Sequence, residues 1–339
     1  MRTLQIGKND AGKRLDRFLL AALHDIPPAL LYMYFRKKAV RRNGVHAKPE
    51  EKLAAGDVLQ LYISDEFFAG DAAKDEKSRL LAKLSVPSLT LKTDEIVYED
   101  ENILLIDKPQ GELVHEGDAE AKDSAHDMYL VDRLQGYLYK KGEYRPEEEN
   151  RFAPALCNRL DRNTCGIVIA AKNAAALAVL NQKIRDRELT KKYLCVVYGV
   201  PEKKEATLRD VLYKDSAANR VYIFPSAADA KRAMRIRYDD DIKSVVTKYR
   251  VVKTMGDTSL VEVELITGRT HQIRAHLAYI GHPIVGDGKY GVNHRGETGK
   301  KYQMLCSHYL RFDFTTDAGP LGYLDHKEFF SHYSVNMLQ

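Results

Sequence analysis

From Lys13 to Leu23 the apolar positions Leu15, Phe18, Leu19, Ala22 and Leu23 recur at helical spacing. Pro27 and Pro28 then break the chain and suit the first turn of a second helix, "PALLYMYFRKKAV", which ends among cations. Asn43-Gly44 is a strong hairpin signal, and "VLQLYI" after the Gly56-Asp57 turn alternates as a strand. Two short helices and a hairpin region predict a small α/β domain over residues 1–63. Residues 64–90 are charged and aperiodic except for "SRLLAKL", which fits a linker with room for a short helix.

From Glu95 onward the pattern changes to strands and tight turns. "NILLID" reads as a buried strand, and Lys108-Pro109-Gln110-Gly111 turns out of it. Residues 116–150 are polar, with "RPEEEN" an exposed loop. "CGIVIAAK" is continuously apolar, as a strand buried on both faces would be. Asn173 is placed to cap a helix whose Leu177, Leu180 and Ile184 share one face. "KKYLCVVYG" and "SLVEVELITG" are further strands, and "THQIRAHLAYI" starts a helix that Gly281 closes. Many strands with few intervening helices predict an α+β domain over residues 91–339, built on a mainly antiparallel mixed sheet. There is no regular βαβ alternation, no P-loop and no internal repeat, which disfavours nucleotide-cofactor enzymes.

Charge sharpens this division. Residues 1–63 carry 12 Lys and Arg against 6 Asp and Glu, whereas the remaining 276 carry 41 against 42. The whole positive excess lies in the first fifth of the chain, as expected of a polyanion-binding module on a neutral body. Arg36, Lys37, Lys38, Arg41 and Arg42 cluster where the second helix meets the hairpin, and Lys13, Arg14 and Arg17 lie on the first. Taken alone, such a run is more often a solvated face. The four cysteines, at 157, 165, 195 and 306, show no CxxC spacing, so reduced thiols in a cytoplasmic protein are expected. No apolar run approaches the roughly 20 residues of a membrane helix.

Three segments carry candidate chemistry: "NRLDRNTCG" (158–166), "KKYLCVVYG" (191–199) and "ITGRTHQIRAHLAYIGHPIVGDGKYG" (266–291). Each has a bland reading by itself. Asp161 suits a turn or a structural pair with a neighbouring Arg, Tyr193 a core aromatic, and Arg269 an anion anchor.

Together the three resemble the catalytic domain of the RluA-type pseudouridine synthases, over about residues 95–315. Asn158 and Cys165 depart from the commoner "HRLDxxTSG", while Arg-Leu-Asp, Lys-x-Tyr and Gly-Arg-Thr-His-Gln are intact. In residues 12–63, "RLDRFL" and "VRRNGV" resemble the alpha-L RNA-binding motif, which turns the odds on the basic cluster towards RNA. The resemblance implies isomerisation of uridines in structured RNA, large-subunit ribosomal RNA first and transfer RNA second. It implies neither cofactor nor metal, and a monomer is expected. His271, His276, His282 and His294 form no recognised zinc spacing.

Pseudouridine formation breaks the uridine N-glycosidic bond, turns the base and joins its C5 to C1′. An ionised, shielded carboxylate can serve by attacking the sugar, adding to the base or taking a sugar proton. The resemblance gives Asp161 this role, with Arg269 as its ion-pair partner and Arg274 as the next candidate. Tyr193 would stack on the flipped base, with Ile266 on the opposite side. Arg159 would fill the vacated space, and Lys191 and Arg274 would contact substrate. Two other classes compete: a non-catalytic RNA-binding assembly factor, and an Asp-nucleophile hydrolase. Intact Asp161, Tyr193 and Arg269 argue against the first, and the lack of a DxDxT set argues against the second.

Overall fold

The computed structural model describes residues 1–68, 71–115, 128–236, 241–291 and 302–333. Residues 116–127 of the polar stretch, and His294, lie outside the described residues. The chain divides into two compact units. The first comprises residues 1–91, 131–155 and 171–178, and the second comprises the rest.

The first unit opens with a strand that the hydrophobic pattern did not reveal, β1 (Arg2–Gln5), followed by α1 (Leu15–Ala22) and α2 (Pro28–Arg36). Pro27 precedes the first turn of α2 and Pro28 begins it, where a missing N–H costs nothing. The strands β2 (Val40–Arg42) and β3 (Val45–His46) form the hairpin, with Asn43 at φ 51° and Gly44 at φ 84°. Two consecutive positive φ angles are what a type I′ turn requires. β4 (Val58–Leu61) completes an antiparallel sheet in the order β1-β4-β2-β3. Leu15, Phe18 and Leu19 of α1 pack with Leu31 and Phe35 of α2 and with Val40, Leu59 and Leu61 of the sheet.

Residues 64–90, read as a linker with room for a short helix, carry the 14-residue helix α3 (Asp71–Leu84) and fall within this compact unit. Lys140 of α4 (Leu130–Lys141) holds the carbonyls of Val86, Pro87 and Leu89, which ties that stretch down.

The eight cations assigned to RNA do not behave alike. Arg42 is bonded to the buried Asp57 at 2.7 Å, and Arg14 is forked onto the buried Asp16. Lys13 pairs with the buried Asp10 at 2.8 Å. These three neutralise carboxylates that would otherwise be stranded in the core. Arg17, Arg36, Lys37, Lys38 and Arg41 are exposed, and Arg41 lies over the Tyr62 ring at 5.5 Å.

The second unit is built on one large sheet. Its strands are β5 (Ile96–Glu99), β6 (Ile103–Lys108), β7 (Ala155–Leu156), β8 (Cys165–Ala171), β9 (Leu189–Tyr198), β10 (Glu205–Asp215), β11 (Arg220–Phe224), β12 (Ile242–Met255), β13 (Thr258–Leu265), β14 (Leu305–Phe312) and β15 (Glu328–Phe330). The main order is β11-β10-β12-β13-β9-β14-β8-β6-β5, with β15 beside β14 and β7 beside β8. Among the registered pairs of this sheet only β14–β8 is parallel, so the expected mainly antiparallel mixed sheet holds. The helices α5 (Ala174–Arg185), α6 (Ala227–Met234) and α7 (Gln272–Tyr279) complete the set of elements. Asn173 caps α5 through Ala176 N–H, as its place in the sequence predicts. No helix of the described residues is long and apolar enough to cross a membrane.

Candidate active site

The turn carrying Asp161 is fixed from several sides. Asn158 Oδ1 accepts the Ile169 N–H at 2.7 Å, so the Asn that replaces the commoner His still clamps the turn onto β8. The Asp161 carbonyl accepts the Thr164 N–H at 3.0 Å, and Thr164 Oγ1 accepts from Gln303. Gly166 sits at φ 107°, and a Cβ there would lie 2.2 Å from the Ser307 carbonyl oxygen. The close parallel approach of β8 to β14 therefore requires glycine.

Lys108, wholly buried at the end of β6, supports the same turn. Its Nζ donates to the carbonyls of Pro109, Glu112 and Arg162 at 2.8–2.9 Å. Burial pushes its ammonium down to about 8. The sequence reading gave Lys108 no role. A cation following the apolar run Ile103–Ile106 and Asp107, just before Pro, was the available signal.

The partner of Asp161 is Arg274, not Arg269. Arg274 Nη1 donates to Asp161 Oδ2 at 2.7 Å, while its Nε and Nη2 fork onto Asp287 at 2.7 and 3.1 Å. Asp287 is itself held by the N–H groups of Lys289 and Tyr290. Burial opposes the Arg274 charge, but the two carboxylates outweigh it and hold the guanidinium above its ordinary value. Asp287 is shifted the other way: burial would raise it, and Arg274 keeps it low. Arg269 lies in the loop before α7, exposed, with its backbone N–H on Gln272 Oε1. The reason is register: Arg274 is inside the helix on its buried side, and Arg269 precedes it.

Asp161 keeps 27% of its side chain exposed, and its Oδ1 has no hydrogen bond among the described residues. One oxygen is thus anchored and the other is free at the surface.

Tyr193 occupies β9, opposite Val263 in β13 and Ser307 in β14. It is 7% exposed. Burial pushes its hydroxyl up to about 12, against a hydrogen bond to Ser307 and with the help of the Asp161 charge. It therefore stays protonated at neutral pH. Lys191, two residues back, lines a narrow recess with Asn158, Ile167 and Ser307, and burial lowers it to about 8. No bond joins it to Asp161 among the described residues. Ile266 is half-buried just beyond β13, and Arg159 is exposed.

Two histidines have work that their failure to match a zinc spacing did not suggest. His276 is buried between Thr247 Oγ1 and Asp210 Oδ2, both at 2.8 Å, and Gln272 Nε2 also donates to Thr247. This network braces α7 against β12 and β10. His271 stands next to the carboxylate, with Nε2 3.9 Å from Asp161 Oδ2 and Nδ1 3.0 Å from Tyr290 Oη. Burial pushes it down to about 4 despite Asp161, so the ring is neutral at pH 7. Among the described residues no group of three or more His, Cys, Asp or Glu side chains is placed to hold a metal ion.

The geometry is that of an anchored carboxylate with one open oxygen, beside a neutral phenol and a neutral imidazole. Comparison with known proteins gives the family. The pattern described as RNA pseudouridylate synthase matches residues 102–279. The ribosomal large subunit pseudouridine synthase C of Pasteurella multocida is 32% identical over 300 residues, covering 88% of this chain and 80% of that relative. Its counterpart in Haemophilus influenzae is 30% identical over 334 residues, covering 96% and 92%. The solved human RNA pseudouridylate synthase domain containing 4 shares the fold at TM-score 0.52 and 19% identity, covering 78% of this chain and 95% of that one. The chain belongs to the RluA-type RNA pseudouridylate synthases.

Proposed function

We propose that this synthase isomerises uridines of large-subunit ribosomal RNA, with Asp161 as the catalytic carboxylate. The observation that carries the mechanism is the Asp287–Arg274–Asp161 chain, which anchors Oδ2 and leaves Oδ1 open. A guanidinium at 2.7 Å supplies the counter-charge of the acid, and its fork onto Asp287 holds that charge in place. Every route to pseudouridine through a carboxylate needs both properties. The target uridine is flipped out of its stack at a cost of a few kcal/mol, part of which an aromatic face returns.

Tyr193 supplies that face and a protonated hydroxyl, close enough to Asp161 for its charge to be felt. Ile266 bounds the base on the other side, Arg159 fills the gap in the RNA, and Lys191 contacts the nucleotide chain. Arg269, exposed beside the site, contacts RNA rather than the carboxylate. Arg17, Arg36, Lys37, Lys38 and Arg41, exposed in the first unit, grip phosphates. The names and coverage of the relatives support ribosomal RNA as substrate. Four free cysteines support a reducing, cytoplasmic setting.

Mapping pseudouridines in ribosomal and transfer RNA from cells with and without the gene tests the substrate. One or more sites in large-subunit ribosomal RNA should disappear. Loss confined to transfer RNA would overturn that assignment.

A further inference from the structure

His271 is the most constrained side chain near the open carboxylate that the mechanism above leaves unused. Its backbone is left-handed, at φ 52°, in the residue before α7, an uncommon conformation for a non-glycine residue. Its hydrogen bonds fix its tautomer. Tyr290 Oη already accepts the Val221 N–H at 3.0 Å, and the phenol proton has one acceptor among the described residues, His271 Nδ1 at 3.0 Å. Nδ1 is therefore an acceptor, and the ring proton sits on Nε2. The tyrosine cannot easily turn away, because Arg220 and Arg274 each lie 5.2 Å from the centre of its ring.

The Nε2–H thus faces Asp161 Oδ2 at 3.9 Å, too far for a direct bond. An oxygen about 2.8 Å from both atoms fits as the third corner of that triangle. It must donate to the carboxylate and accept from the imidazole. In an internal uridine, the base oxygens, the ring oxygen of the sugar and the phosphates only accept, and N3–H only donates. The 3′ and 5′ oxygens are esterified. One group does both: the ribose 2′-hydroxyl, on the carbon next to C1′.

We propose that His271 and Asp161 together bind the 2′-hydroxyl of the target uridine, so that His271 reads the sugar and discriminates ribose from deoxyribose at that nucleotide. This rests on the reading of Asp161 as the carboxylate that meets the target nucleotide. The 2′-hydroxyl is the group by which a protein can tell RNA from DNA at one position. A water satisfies the same two bonds before RNA arrives.

The test uses the full-length chain and a ribosomal RNA fragment that it modifies, ligated with uridine or 2′-deoxyuridine at the target. Single-turnover titrations give the half-saturating enzyme concentration for each. In the wild type, the deoxy substitution should raise it about tenfold, the worth of one charge-assisted hydrogen bond. In His271→Leu that penalty should shrink to about twofold or threefold, and His271→Gln, which keeps an N–H donor, should retain most of it. Equal penalties in wild type and His271→Leu would overturn the proposal. So would the absence of any penalty in the wild type, which needs no variant to fold and means that only water occupies the corner. Nitrogen-15 shifts of the His271 ring add a second reading: a proton on Nε2 supports the proposal, and one on Nδ1 overturns it. If the wild type made no pseudouridine in any RNA fragment, the functional reading itself would fail, a result distinct from all of these.

Discussion

Arg274 and Asp161 meet through one nitrogen and one oxygen, at 2.7 Å, while the rest of the Arg274 fork is committed to Asp287. The guanidinium is thus a rigid bracket rather than a mobile counter-ion. Its orientation is set by a second carboxylate that is wholly buried.

A lysine at position 274 keeps the charge but cannot hold Asp287 and Asp161 at once. Arg274→Lys is expected to slow the chemical step about a hundredfold, equivalent to about 2.7 kcal/mol, with RNA affinity nearly unchanged. Arg269→Lys should leave that step near the wild-type rate, since Arg269 is exposed and apart from the carboxylate. Rapid-quench single-turnover assays compare the two. A slow step in Arg269→Lys with a normal one in Arg274→Lys would reverse the assignment.

His271 makes stability depend on pH in a defined window. The native ring titrates near 4 and the unfolded one near its ordinary 6.5. Between those values the unfolded chain binds more protons, so stability falls as pH drops from about 6.5 to about 4. The loss from this group approaches about 3 kcal/mol at its largest. Urea unfolding at pH 7 and pH 4.5 should show a smaller pH-dependent loss in His271→Gln than in the wild type. Identical losses would remove His271 as the cause.

The cations of the first unit separate into two kinds. Replacing Arg36, Lys37, Lys38 and Arg41 together with alanine should weaken RNA binding and flatten its salt dependence. The slope of log K against log salt should become shallower by about 0.7–0.9 for every phosphate that the variant no longer neutralises. The melting temperature should hardly move, because these side chains are exposed. Arg42→Ala should instead lower stability by about 1–3 kcal/mol, since it strands the buried Asp57 carboxylate. Filter binding across a salt series and thermal melts measure both.

Much of this was legible in the chain. The Asn43-Gly44 turn, the Asn173 cap and the apolar run of β8 came directly from local rules, because each depends on residues close in sequence. β1 was missed because four half-exposed or exposed residues show no hydrophobic face. The segment β10 to β12 was missed because polar residues interrupt its alternating inward faces, Asp210 in β10 and Thr247 in β12. The motif containing Arg269 and Arg274 pointed to the right loop and helix, yet not to the right arginine. That choice depends on where α7 begins and which of its faces is buried, which no spacing rule supplies. Asp287 and Tyr290 needed the fold, since their partners lie on other elements. The glycine after Cys165 likewise reveals its purpose only against Ser307 of β14, far along the chain.

The most direct test of the mechanism is turnover in Asp161→Asn, read as tritium release from RNA labelled at uridine C5. The amide keeps the size and shape of the side chain but loses the charge that Arg274 anchors. Release should fall to background while RNA binding stays within a few-fold, because the carboxylate acts on the target nucleotide and not on phosphates. Release at the wild-type rate from Asp161→Asn would contradict the role given to this carboxylate.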